Sequence, residues 1–374
     1  MNISYIAHIR LPTEKAHGIQ TMNTCYSLGT KGAHVELAIP TRRNTIDEDP
    51  FTYYGLKKNF KIRRLFSPDL IRLGMWGYRL QHALFIFSAI VYGLRTRSDI
   101  YYSRDEVILL FLRFTGKRVV WETHEGRYTF LSRIILKYIT GVVCISKGLQ
   151  QFYQEKGVPA SKICVAHDAV DIAKFNLSIR QQEAREKVNL PTYKKIVTYT
   201  GSLYLYKWKG VNVLLDAAKK LNDDYITVLV GGSKKEIAAI KEKYPSNTII
   251  CTGHRPHNDI PYYLKASDVL VIPNQKGDII SERFTSPMKL FEYMASGVPI
   301  VASQLPSLEE ILSSHNSVLV QSDNVQALAD AIKHITTDPL FAEDIQRQAL
   351  RDVHQYTWDH RADVIYSFLK TCIS

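Results

Sequence analysis

The sequence predicts an α/β protein built from two doubly wound parallel sheets. Three observations carry this prediction. Short apolar runs of strand length alternate with helical patterns through both halves of the chain. The 374 residues are enough for two ordinary domains. A polar segment, residues 175–195, separates the halves and holds one short helical pattern at 181–190.

In the first half the strand-like runs are 3–7, 35–39, 100–102, 119–121, 141–145 and 163–166. Helical patterns lie between them, for example at 18–31 and 130–138. The second half repeats the alternation at 196–200, 226–231, 248–251, 269–273, 299–302 and 318–320. The boundary therefore falls near residue 180. Open parallel sheets bind ligands outside the carboxyl ends of their strands. Two such domains facing each other would make a cleft, the default ligand site.

Composition narrows the function classes. Hydrophobic residues make up 45% of the chain and charged residues 22%, the profile of a folded protein rather than a disordered one. The net charge is +12, with a pI near 9.3. Such a surface attracts nucleic acid, anionic lipid or anionic substrates. The charge is dispersed and no nucleic-acid-binding module is present, so a nucleic-acid partner is not expected. Cys25, Cys144, Cys164, Cys251 and Cys372 are odd in number and lack paired metal spacing. They read as reduced core thiols, which fits a cytoplasmic protein. Residues 1–7 read as a first strand, with no basic leader before them. The longest apolar stretch, 83–94, is too short to cross a bilayer, which takes about 20 residues. Arg72, Arg79, Arg95 and Arg97 flank it, with Trp76 and Tyr78 nearby. A core helix and a membrane-surface helix both fit that mixture.

The segment 286–303 is the most informative. Ser286 can cap a helix, Pro287 suits its first position, and Gly297 can take the left-handed stop before Pro299. Backbone N–H groups then point out of the helix start, which makes an anion site. Glu292 lies a turn and a half further on, a carboxylate able to accept from hydroxyls. A phosphate site beside a hydroxyl-binding carboxylate is what a nucleotide-sugar needs. The alternative is a core helix with Lys289 and Glu292 paired on its surface.

This segment resembles the signature of family 4 glycosyltransferases, retaining enzymes of the GT-B fold. In that family a Glu, seven residues and a second Glu precede a small-Gly-x-Pro-Val-Val-Ala-Ser strand. Glu292 matches the second Glu, and Phe284 stands in place of the first, with Glu282 two residues away. Gly201-Ser202-Leu203, then Trp208-Lys209-Gly210, resembles the family's diphosphate loop. Lys209 matches the family Lys. Ser202 stands where an Arg is usual, and Lys207 is the candidate for the second charge. Gly231-Gly232-Ser233 and Thr252-Gly253-His254-Arg255 match two further ligand loops, with Arg255 the candidate for the base. Gly18 matches a glycine whose N–H meets the donor phosphate, and His124 a histidine at the reaction centre. Ser146 matches a helix cap. The segment from Val165 to Phe175 resembles a fold-defining stretch. Tyr356-Thr357-Trp358 resembles the C-terminal Tyr-Ser-Trp, after which residues 358–374 return as a helix to the first domain.

The resemblance implies a GT-B enzyme with an acceptor-side domain at 1–180 and a nucleotide-sugar domain at 181–357. It implies retaining transfer of a hexose-type sugar from a nucleoside diphosphate to an acceptor hydroxyl. His124, Lys209 and Glu292 are the expected catalytic group. Gly18, Gly201, Ser202, Lys207, Gly232, Arg255, Glu282, Thr285, Ser286, Met288 and Lys289 are the expected donor contacts. No metal and no cofactor beyond the co-substrate is expected. The expected acceptor is a glycan or lipid-linked glycan of cell-envelope polysaccharide assembly, reached at an anionic membrane surface. An inactive GT-B scaffold, a nucleotide-sugar binding protein and a GT-B epimerase remain alternatives that turnover of a nucleotide-sugar would separate.

Overall fold

The computed structural model describes residues 1–203 and 207–373, except the Lys207 side chain. They form two compact units, Met1–His167 with Trp358–Ser374, and Asp168–Thr357. Residues 168–180 thus lie in the second unit. Asp168 N–H donates to Ser286 Oγ at 3.1 Å, and Val170 forms a parallel bridge with Thr357.

The first unit holds seven parallel strands: β1 (Asn2–Ile6), β2 (His34–Pro40), β3 (Lys61–Leu65), β4 (Ile100–Ser103), β5 (Val119–Thr123), β6 (Gly141–Cys144) and β7 (Ile163–Val165). Their order is β3-β2-β1-β4-β5-β6-β7. The second holds six: β8 (Lys195–Thr200), β9 (Tyr225–Val230), β10 (Ile249–Gly253), β11 (Val269–Ile272), β12 (Ile300–Gln304) and β13 (Val318–Gln321). These run in the order β10-β9-β8-β11-β12-β13, again all parallel. The predicted α/β class with two parallel sheets is the observed one. Central strands are buried on both faces and read as unbroken apolar runs, as in Val269-Leu270-Val271-Ile272.

Strand β3 was not legible in the sequence. Its residues are Lys-Ile-Arg-Arg-Leu, mostly exposed. It sits at the sheet edge, where charged side chains discourage pairing with another chain. The apolar stretch 83–94 is part of one 22-residue helix, Gly74–Arg95. Among the described residues no helix is long and apolar enough to cross a membrane.

In each sheet the strand order reverses once, between β1 and β4 and between β8 and β11. Crevices outside the carboxyl ends at such points are where open sheets bind ligands. Residues just after β1, β4, β8 and β11 are therefore the ones placed to meet a ligand.

Candidate active site

In the second unit the chain leaves β8 at Gly201, whose φ is +127°, and later enters the helix Val211–Ala218 through Gly210, φ +67°. A Cβ on Gly210 would lie 1.7 Å from the Pro273 carbonyl oxygen, so only glycine fits this close approach. Gly231 packs as closely; its Cβ would meet the Gly201 oxygen at 2.2 Å. Gly232 takes φ +84° against the Leu203 side chain. The loops after β8 and β9 are thus held against one another by backbone.

Two lysines converge on this turn. Lys289 Nζ sits 3.8 Å above the Tyr199 ring and donates to the Thr200 carbonyl at 3.2 Å. A Cβ at Gly201 would be 3.8 Å from that Nζ. Burial first, then the charge of Lys209, holds the Lys289 pKa well below the ordinary lysine value, against the opposing pull of Glu292. Lys209, its own pKa lowered by burial, also lies over the Trp208 ring. Lys289 is therefore not in a surface pair with Glu292; it points into the turn where an anion would relieve the repulsion. The Lys207 side chain lies outside the described residues.

The helix carrying Lys289 and Glu292 is Met288–Ser296. Its N-cap is Pro287, not Ser286, and no side chain caps it. Ser286 is buried and its hydroxyl instead accepts from Asp168 N–H. The correction is a shift in where the helix begins: with Pro287 extended, the first helical residue is Met288. Gly297 takes the left-handed stop, φ +66°. Phe291 and Ala295 are fully buried, and Met288 is half-buried. Thr285 is buried with its N–H on the Ile280 carbonyl. Glu282 accepts from Gly277 N–H at 2.6 Å, and Phe284 is in the core. Ser202 accepts from Tyr199 Oη through its carbonyl. Arg255 is exposed, its guanidinium 5.9 Å from the Tyr263 ring centre.

Glu292 is 6% exposed and has a partner that the sequence did not suggest. His257 Nε2 lies 2.8 Å from Glu292 Oε1, and His257 Nδ1 lies 3.0 Å from Lys174 Nζ. The ammonium donates to Nδ1, which leaves the Nε2 proton for the carboxylate. Asn274, directly after β11, was also missed. It is 1% exposed, and neither its amide oxygen nor its nitrogen has a hydrogen-bond partner.

In the first unit His124 follows β5. Its Nε2 is 2.7 Å from Glu122 Oε1. Glu122 is almost wholly buried and also accepts from Gln20, Arg104, Arg361, Tyr5 and Tyr102. Burial alone would raise its pKa; Arg104, Arg361 and His124 outweigh that and hold the carboxyl well below its usual range. Arg361 comes from the helix Trp358–Thr371, so this carboxylate ties the chain's last helix to β5. The network fixes which way the His124 ring faces. Gly18 lies inside the helix Ala16–Thr30, and its N–H donates to the Lys15 carbonyl. A Cβ there would meet Tyr54 Oη at 2.3 Å, so packing alone demands the glycine. Ser146 caps its helix by accepting from Leu149 N–H. Among the described residues no group of three or more His, Cys, Asp or Glu side chains is placed to hold a metal ion.

Residues 180–352 match the family described as glycosyl transferases group 1. An uncharacterized glycosyltransferase of Methanocaldococcus jannaschii, MJ1069, is 23% identical over 316 residues, 78% of this chain and 75% of its own length. The UDP-Gal:alpha-D-GlcNAc-diphosphoundecaprenol alpha-1,3-galactosyltransferase of Escherichia coli is 25% identical over 226 residues. That match covers 56% of this chain and 55% of the relative, which leaves almost half of each unmatched. Anabaena Alr3699/HepE, solved with UDP and glucose, superposes with a TM-score of 0.77 over 99% of both chains at 16% identity. At that identity the likeness speaks for the shared GT-B fold alone.

Proposed function

We propose that this protein is a retaining glycosyltransferase of the family 4 type, moving a sugar from a nucleoside diphosphate to an acceptor hydroxyl. The observation that carries the reading is the Lys289 ammonium at the Gly201 turn, with the charge of Lys209 near enough to repel it. An anion bound at this turn would ease the repulsion between the two ammonium groups. Lys289 thereby supplies the second cation that Ser202 lacks. Bond breaking places charge on the leaving diphosphate, and both lysines are set to stabilise it. Glu292, oriented by His257, accepts from the ribose hydroxyls. His124, oriented by Glu122, contacts the transferring sugar. Retention by front-face attack, with the phosphate taking the acceptor proton, is the course that the family resemblance implies. The side-chain cations do the work a metal does elsewhere, so a chelator is expected to leave the rate unchanged. Metal-dependent turnover would contradict this assignment.

The acceptor is a glycan or lipid-linked glycan presented at an anionic membrane. The first unit supports this. Helices Gly74–Arg95, Glu106–Phe114 and Phe130–Tyr138 pack side by side and leave Trp76, Phe87, Phe111, Phe114 and Phe130 exposed, Trp76 by 74%. They carry Arg79, Arg95, Arg113, Arg133 and Lys137 against one acid, Glu106. Exposed aromatics among cations suit a lipid surface.

The test is a thermal-stability screen of UDP, GDP and ADP and their sugars. A ligand at a hundred times its dissociation constant adds about 2.7 kcal/mol. Stabilisation by one diphosphate series supports the reading; none at all would sink it.

A further inference from the structure

A second polar site lies in the first unit, away from Glu122. His8 follows β1 directly. Its ring stacks on His82 at 4.5 Å and on Phe85 at 5.1 Å, with Tyr78 at 5.9 Å. Tyr78, Gln81, His82 and Phe85 recur at three- and four-residue spacing, so they share one stripe of the helix Gly74–Arg95. An inward helix stripe ordinarily carries aliphatic residues. Here it carries a phenol, an amide, an imidazole and one phenyl ring.

The polar atoms of this stripe are unevenly served. His82 Nε2 is 2.8 Å from Asp105 Oδ2, and Asp105 caps the helix after β4. Gln81 is fully buried, yet neither its side-chain oxygen nor its nitrogen has a hydrogen-bond partner. His8 Nε2 is buried and equally without one. Burial, with His82 and Arg42 nearby, pushes the His8 pKa down to about 4, so the ring is neutral and its nitrogens comprise one donor and one acceptor. Arg42, following β2, has a buried Nε with no partner. An unmet buried amide costs about 1–3 kcal/mol. His8 and Arg42 follow β1 and β2, at carboxyl ends of the sheet, and Gln81 lies beside His82 on the helix whose stripe His8 stacks against.

We propose that His8, Gln81 and His82 form a binding subsite for a pyranose ring, the sugar residue that receives the transferred group. A pyranose has an apolar C–H face and a rim of hydroxyls that both donate and accept. Stacked neutral rings suit the face. An amide, which donates and accepts at once, suits two adjacent hydroxyls, and the second His8 nitrogen a third. A site built to hydrogen-bond hydroxyls rejects analogues that lack them, because its buried groups are then left unpaired. The ring's role as acceptor rests on the sugar-transfer reading; its binding does not.

The test is saturation-transfer NMR with methyl glucopyranoside, methyl galactopyranoside, methyl N-acetylglucosaminide and methyl glucuronide, and with uridine and adenosine as controls. At least one pyranoside is expected to receive transfer at its ring protons. Gln81→Leu should weaken it about tenfold or more while leaving the thermal midpoint unchanged or higher, since an unmet amide is removed. His82→Phe keeps the stacking volume and should weaken binding through the lost hydrogen bond, so the inference stays testable if one variant folds poorly. Absence of transfer to every pyranoside, transfer to the nucleosides only, or undiminished binding in both variants would overturn it. In the last case Gln81 is met by water alone. Pyranoside binding without any nucleoside-diphosphate binding would leave the subsite standing and defeat the donor assignment.

Discussion

Burial and the charge of Lys209 both disfavour the Lys289 ammonium. Lys289→Met keeps the stem and removes the charge, so it should stabilise the ligand-free protein while weakening nucleoside-diphosphate binding. Thermal melts with and without UDP, GDP and ADP check both halves. The pH dependence follows with its sign. Lys289 has a folded pKa below its ordinary 10.5, so the unfolded chain binds more protons between the two values. Ligand-free stability contributed by this group therefore rises with pH across that window, while diphosphate affinity falls as the ammonium deprotonates. Lys289→Met should flatten both slopes; unchanged slopes would show that the titrating group is elsewhere. Glu122 behaves oppositely. Its folded pKa is depressed, so its contribution is present above the ordinary carboxyl value and is lost as the pH falls. Glu122→Gln should cost about 3–5 kcal/mol in denaturant unfolding, because the buried carboxylate that Arg104 and Arg361 share loses its charge.

At the scale of the element, the helix Met288–Ser296 carries two proposed donor contacts, Lys289 for phosphate and Glu292 for ribose. Glu292→Gln should preserve the packing of Phe291 and Ala295 and weaken binding by about 1.5–3 kcal/mol, the range of a hydrogen bond to a charge. The deficit should vanish with a 2′,3′-dideoxy nucleotide. An equal deficit with both nucleotides would remove Glu292 from the ribose. Much of this helix was legible beforehand, because Gly297, Pro299 and the apolar spacing are local signals. The lysine's direction was not. Spacing of three residues to Glu292 left a surface pair open beside the donor contact, and the strand neighbour Tyr199 is what Nζ packs on instead. His257, Asn274, His8 and Gln81 escaped notice for a related reason. Each is an ordinary polar residue in sequence, and its interest arises from burial and from the neighbours that folding brings or withholds. Strand β3 escaped because charge at a sheet edge masks the apolar pattern.

For the whole molecule, the two-sheet architecture was readable from the alternation of apolar runs, since parallel strands buried on both faces announce themselves. The net charge of +12 was equally plain, but not where it acts. The exposed aromatic face of the first unit is the place proposed for it. The protein should co-sediment with anionic vesicles at low salt and dissociate at high salt, each cation near the surface being worth about 1 kcal/mol. Gln in place of Arg79, Arg95, Arg113 and Arg133 should diminish binding. Indifference to vesicles at low salt would make a soluble acceptor the better reading. The central claim is that Lys289 and Lys209 together hold a nucleoside diphosphate. Titration calorimetry of UDP, GDP and ADP against their monophosphates, on wild type, Lys209→Ala and Lys289→Met, tests it most directly. One diphosphate should bind more tightly than its monophosphate, and each substitution should erase most of that preference. Equal binding of mono- and diphosphate by all three proteins, or no binding by any, would contradict it.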